Sequence, residues 1–184
     1  FILKDTKYVN ATGYTFKDFM EGKIDILKNK KPTIQDFKNH LSTIFTEIRL
    51  KQYIEIRSLD TCEWDCHCGG PAFYMGLLYA NLDEAVEIVN KWSITDVLNA
   101  YAKAPKDGLN TVIHSKTLLE WGKIFLQLSK EGLQKRSIKN KGGSDESIFL
   151  RSIENILNNN ETKAENSIKK FEKGNSLEFL YDKI

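Results

Sequence analysis

The residues best suited to chemistry lie between positions 40 and 60. Arg49, Tyr53, Glu55 and Arg57 occupy alternate positions among the apolar Ile48, Leu50, Ile54 and Ile56. A period of two over 48–57 predicts a strand with two unlike faces, one apolar and one charged. On the charged face a carboxylate and a guanidinium two residues apart project side by side. Such a pair can hold a metal ion and a phosphate together. The carboxylate offers hard oxygen to Mg²⁺, and the guanidinium offers forked donors to a phosphoryl oxygen. A rigid strand fixes both groups, and phosphoryl transfer depends mostly on positioning and charge stabilisation. The same alternation also describes a solvent-facing strand whose cross-strand ion pairs contribute little. The pattern by itself leaves both readings open.

Cys62, Cys66, His67 and Cys68 place four soft ligands within seven residues. Zinc accepts such groups, but its usual sites draw ligands from two clips well separated in sequence. Four so close together strain a tetrahedral closure, so buried or unpaired thiols are the expected state. An odd number of cysteines in one loop is not a disulfide framework, and a reducing, cytoplasmic setting is expected. His114 precedes a helical stretch and reads as a surface or capping residue.

These residues need elements to position them. Residues 1–10 read as a short strand or hairpin arm, with Phe1 to Val9 a possible partner for the 48–57 strand. Thr15 caps a short helix from Phe16 to Glu21, ended by Gly22. Thr33, with Asp36 at the third helical position, opens a second helix by the capping-box pattern. Its apolar stripe is Ile34, Phe37, Leu41 and Ile44 or Phe45. After residue 70 everything reads helical. Gly69-Gly70-Pro71 opens one helix, Asn81 breaks and recaps it, and Ser93 or Thr95 caps another. Pro105 and Gly108 mark a loop. Thr117 to about Arg136 is a long amphipathic helix with Leu118, Trp121, Phe125 and Leu128 on one stripe. Ser144 or Asp145 caps the next, Asn158-Asn159-Asn160 ends it, and Lys163 to Phe171 forms the last, before a tail through Tyr181. The expected class is α+β: short antiparallel strands at the N-terminal side, packed against a mainly helical C-terminal part. The expected division is 1–62 for the strand-bearing part and 63–184 for the helical part.

Bulk properties narrow the function. The chain has 184 residues, 41% hydrophobic and 28% charged, which is the composition of a globular domain and not of a disordered segment. Its 27 basic and 25 acidic side chains leave a net charge of +2, too little for a field that attracts nucleic acid. No apolar run approaches the ~20 residues of a membrane span. The chain opens on Phe1-Ile2-Leu3 with no Met and turns charged at once, so it reads as a piece of a longer protein.

The run His40-Leu41-Ser42-Thr43-Ile44-Phe45-Thr46-Glu47-Ile48-Arg49-Leu50-Lys51, followed by Tyr53-Ile54-Glu55-Ile56-Arg57-Ser58-Leu59-Asp60, resembles the glutamate–cysteine ligase family of the plant and proteobacterial type. Thr15-Phe16-Lys17-Asp18-Phe19-Met20 and Pro71-Ala72-Phe73-Tyr74-Met75-Gly76-Leu77-Leu78-Tyr79 resemble it too. The Glu-x-Arg-x-x-Asp strand also resembles the wider glutamine-synthetase-like superfamily, which implies a fragment of such a catalytic domain. Cys68 lines up with a cysteine common in the plant-like members, whereas Thr46 stands where the family usually has proline. The resemblance implies ATP-dependent joining of the glutamate γ-carboxyl to the cysteine amine through a γ-glutamyl phosphate, with Mg²⁺ as cofactor. It implies that Glu55 ligates Mg²⁺, that Arg57 contacts the transferring phosphoryl group, and that Arg49 lies near substrate or phosphate. Tyr53, His40 and Thr43 match positions close to nucleotide or substrate, and Asp60 holds the strand end or Arg57. It also implies that other metal-binding carboxylates precede Phe1, so that this chain alone is inactive. A related ligase with another amine acceptor, and a non-catalytic helical binding module, are the competing expectations.

Overall fold

The computed structural model describes residues 2–4, 6–27, 29–60, 62, 64–174 and 176–180. Phe1 and Tyr181, which the sequence assigns to a strand and the tail, lie outside them. The chain divides into two units, residues 1–59 and 60–184.

In the first unit β1 (Ile2–Lys4) and β2 (Lys7–Val9) form an antiparallel hairpin. Next come α1 (Phe16–Met20), a 3₁₀ turn (Asp25–Leu27) and α2 (Ile34–Ser42). Thr15 and Thr33 each form a full capping box, with Asp18 and Asp36 as the third helical residue. Each box satisfies backbone donors that the first helical turn leaves unpaired. Phe19, Ile24 and Leu27 are buried together, with Ile2 and Phe16 against them.

Residues 48–57 are not one strand. They fold back as β3 (Ile48–Leu50) and β4 (Ile54–Ile56), with bends at 51–53 between them. The register is Ile48↔Ile56, Arg49↔Glu55 and Leu50↔Ile54. β1 pairs with β2 and not with this segment, so the expected partner strand is replaced by the segment's own second half. Period two survives the reversal, because directly opposed residues share a face. Ile44 and Phe45, placed on the helical stripe by periodicity, fall beyond the end of α2.

In the second unit α3 (Gly69–Ala80), α4 (Leu82–Val89) and α5 (Ile94–Asp107) are followed by a short hairpin, β5 (Val112–Ile113) with β6 (Lys116–Thr117). Then come α6 (Leu118–Arg136), α7 (Arg151–Asn159) and α8 (Lys163–Glu172). Two expectations change here. Pro105 lies inside α5 and not in a loop. The β5–β6 hairpin lies between the loop marked by Gly108 and the helix that follows Thr117, in a part where no strand is expected, and His114 sits in its turn with φ +56.

α3 lies against α6 at backbone distance. A Cβ on Gly132 would overlap the Gly76 carbonyl oxygen, and a Cβ on Gly76 would overlap that of Ser129. Ser129 Oγ donates to Phe73 O at 2.9 Å, and Asn81 Nδ2 donates to Leu128 O at 2.6 Å. Ala72, Leu126, Leu133, Leu150 and Leu157 form one core. Ala100, Ile113 and Trp121 form a second, with Trp92 and Phe125 packed on it. Trp121 Nε1 donates to Ile113 O at 3.0 Å, so the buried indole N–H is paired. The expected α+β class is borne out, with short antiparallel hairpins and a mainly helical remainder.

Candidate functional site

The β3–β4 register fixes the site. Arg49 and Glu55 are direct cross-strand partners, and Arg57 follows Glu55 by one period on the same face. Arg49 Nε donates to Glu55 Oε2 at 2.7 Å. The same oxygen lies 3.6 Å from Arg57 Nη1, and Glu55 Oε1 lies 3.6 Å from Lys51 Nζ. One carboxylate is thus shared by three cations. The hydrogen bond from Arg49, strengthened by the positive charges of Arg49, Lys51 and Arg57, holds Glu55 below its ordinary pKa against the opposing effect of partial burial.

Two further contacts orient the cations. Arg49 Nη1 donates to Ser42 O at 3.3 Å, which ties the hairpin to the end of α2. The Arg57 guanidinium lies over the Phe45 ring, 5.3 Å from its centre. An aromatic face attracts a guanidinium and limits its rotamers. Lys51 and Phe45 were not singled out by sequence. Lys51 lies on the alternating pattern, but its approach to Glu55 depends on the turn. Phe45 reads as helix stripe until α2 is seen to stop.

The other expected site residues are placed differently. His40 and Thr43 line a hollow of about 170 Å³ with Tyr14, Thr15, Phe16 and Asn39. The His40 ring stacks on Phe16 at 5.0 Å, and Thr43 Oγ1 donates to His40 O at 2.7 Å, closing the end of α2. Tyr53 sits in the turn between β3 and β4, with Lys51 Nζ 5.7 Å from its ring centre. Asp60 is a residue of the second unit.

Chemically, the cluster can bind an anion. Three cations and one carboxylate leave excess positive charge, and two guanidinium groups present donors suited to phosphate or carboxylate oxygens. A magnesium site needs more oxygen than is present. Glu55 is engaged on both oxygens, and no group of three or more His, Cys, Asp or Glu among the described residues could hold a metal ion. The described residues therefore do not make a complete Mg²⁺ site by themselves.

The cysteine loop differs from expectation. Cys62 and Cys66 are joined in a disulfide, their Cα atoms 6.0 Å apart, and Cys68 is a free, exposed thiol. Odd parity excludes pairing of all three sulfurs, not of two. That parity argument was the basis for expecting a reducing compartment.

Comparison with known proteins narrows what a hairpin with two arginines and a lysine around one carboxylate could do. The sequence pattern of glutamate-cysteine ligase family 2 matches residues 5–183. The chain is 32% identical over 188 residues to the chloroplastic glutamate–cysteine ligase of Solanum lycopersicum, covering 100% of this chain and 35% of that protein. It is 35% identical over 174 residues to glutamate–cysteine ligase A, chloroplastic, of Oryza sativa subsp. indica, covering 94% of this chain and 34% of that protein. With the chloroplastic enzyme of Medicago truncatula it shares 34% over 167 residues, 90% of this chain and 32% of that protein. The chain belongs to the glutamate–cysteine ligase family, and the expected resemblance is borne out. It spans about a third of the length of these relatives. The cytoplasmic expectation is corrected: these relatives are chloroplastic enzymes, and cysteine parity carries no information about compartment.

Proposed function

We propose that this chain supplies part of an ATP-dependent ligase that joins the γ-carboxyl of glutamate to the amine of cysteine, the first step of glutathione synthesis. The observation that carries this reading is the convergence of Arg49, Glu55 and Arg57 on one hairpin face in a member of the glutamate–cysteine ligase family. In the proposed reaction a γ-carboxylate oxygen of glutamate attacks the γ-phosphorus of ATP. The bond to the bridging oxygen breaks and ADP leaves. The cysteine nitrogen then attacks the acyl carbon, the carbon–oxygen bond to phosphate breaks, and the nitrogen gives up a proton.

Arg57 offers its donors to the transferring phosphoryl group, where charge is redistributed in the transition state. Arg49 keeps Glu55 ionised and lies near substrate or phosphate. Tyr53, His40 and Thr43 serve nucleotide or substrate binding, and Asp60 acts as a positioning residue. ATP is the phosphoryl donor. Mg²⁺ is the expected metal with Glu55 as one ligand, and its remaining ligands come from outside the described residues. The chain alone is inactive in this reading. That the relatives are chloroplastic enzymes supports a plastid setting.

The test uses a hybrid: the tomato enzyme with its matched stretch replaced by this chain. Phosphate release from ATP is measured with glutamate and a panel of amines. Release that needs glutamate and rises with cysteine above other amines is the expected result. A preference for another amine moves the assignment to a different carboxylate–amine ligase, and glutamate-independent release removes it.

A further inference from the structure

The three cations around Glu55 are not equivalent. Arg49 has two donor groups engaged: Nε donates to Glu55 Oε2 at 2.7 Å and Nη1 to Ser42 O at 3.3 Å. It is also the least open to solvent, with 20% of its side chain exposed against 27% for Arg57 and 40% for Lys51. Arg57 and Lys51 approach Glu55 only to 3.6 Å, which is beyond hydrogen-bond length. Neither the Lys51 ammonium nor the Arg57 guanidinium donates a hydrogen bond to a described residue. They stand on different oxygens of the carboxylate, Arg57 on Oε2 and Lys51 on Oε1. Each also meets one aromatic ring, Phe45 for Arg57 at 5.3 Å and Tyr53 for Lys51 at 5.7 Å. A ring face attracts a cation through its charge distribution.

One carboxylate cannot neutralise three cations. Arg49 holds Glu55 through the short contact, which leaves two positive charges and their donors for an oxyanion. Two charges placed on the two oxygens of one carboxylate suit a chain of phosphoryl groups better than a single group. The planar fork of Arg57 fits the oxygens of one phosphoryl group. A lysine ammonium is a compact point charge on a flexible stem, able to follow oxygens whose charge changes during a reaction.

We propose that Lys51 is a further substrate-binding residue of this site, its ammonium contacting the diphosphate that leaves as ADP, and that Arg49 is a positioning residue acting through Glu55. The inference rests on the functional reading above for the identity of the nucleotide. As the bond between the γ-phosphorus and the bridging oxygen breaks, its electron pair goes to that oxygen. Lys51 stays protonated and offsets the charge that builds there, while Arg57 serves the group in transfer.

Calorimetric titration of the tomato hybrid tests this. Lys51→Met should weaken ADP binding about tenfold or more and leave AMP and glutamate binding within about twofold. Lys51→Arg should restore most of the ADP affinity. A lysine that only steadied Glu55 would not distinguish ADP from AMP. Equal losses for the two nucleotides, no loss for either, or no rescue by Lys51→Arg therefore overturns the proposal. A second measurement needs no hybrid. Pyrophosphate added to the isolated nitrogen-15-labelled chain should shift the side-chain nitrogen signals of Lys51 and Arg57 more than that of Arg49 Nε. A silent Lys51 signal, or a larger response at Arg49, overturns the division of roles. Pyrophosphate contact at Lys51 without glutamate-dependent phosphate release in the hybrid would sink the proposed function and leave the Lys51 assignment standing. Glutamate-dependent release with ADP affinity unchanged by Lys51→Met would do the reverse.

Discussion

At the scale of single residues the account turns on Glu55 and its cations. A carboxylate whose pKa is lowered on folding contributes stability above its unfolded value, and that contribution is lost as pH falls through the folded value. Glu55 therefore supports the hairpin at neutral pH and releases Arg49, Lys51 and Arg57 only on acidification below the ordinary value of 4.5. Carbon-13 NMR of the Glu55 carboxyl should show a midpoint below that value, and Arg49→Met should raise it. A midpoint unmoved by the substitution means that the cross-strand pair is not formed. In the tomato hybrid, Arg57→Ala or Glu55→Ala should lower turnover at least about 10²-fold with the fold retained. Steady-state kinetics beside a circular dichroism spectrum checks this, and full activity in either variant removes the role given to that residue. The sequence made the carboxylate–guanidinium pairing of Glu55 and Arg57 legible through their spacing alone. The partnership of Arg49 with Glu55 was not legible, because it arises from a chain reversal and not from spacing along one strand.

At the scale of elements, helix starts were legible wherever a short-range motif fixes them. Thr15, Thr33, Ser93, Thr117 and Thr162 all close capping boxes with the acid three residues on. Thr33→Ala removes the acceptor for Asp36 N and should cost about 1 kcal/mol in denaturant unfolding of the first unit. The β3–β4 turn was illegible for a physical reason. Lys51-Gln52-Tyr53 contains none of the Gly, Asn, Asp or Pro that normally signal a reversal. The β5–β6 hairpin has two residues per strand, too few for any period to emerge. Pro105 misled because proline usually stops a helix, yet α5 runs two residues past it to Asp107. The α3–α6 contact offers the sharpest packing test. Gly132→Ala places a methyl group on the Gly76 carbonyl, and the helices must separate to admit it. A loss of about 1–3 kcal/mol is expected from overpacking, read by denaturant titration of Trp121 fluorescence. No loss would mean that the two backbones are farther apart than described.

At the scale of the whole molecule, the chain contains a helical unit with its own cores and a smaller unit whose β3–β4 hairpin contributes no residue to a core among the described residues. Among the described residues no helix is long and apolar enough to cross a membrane. The chain spans about a third of its relatives, and its described residues carry a cationic cluster but not a complete metal site. The isolated chain should accordingly release no phosphate from ATP in the presence of glutamate, and measurable release would show a more complete site than the one described. The central claim is that the hairpin cations act on a phosphoryl group passing from ATP to glutamate. Positional isotope exchange tests it most directly, using the tomato hybrid and ATP labelled with oxygen-18 in the β–γ bridge. With glutamate present and cysteine absent, reversible formation of the acyl phosphate should scramble the label into the non-bridging β positions, and Arg57→Ala should abolish the scrambling. Scrambling that proceeds without glutamate, or that survives loss of Arg57, would contradict the account.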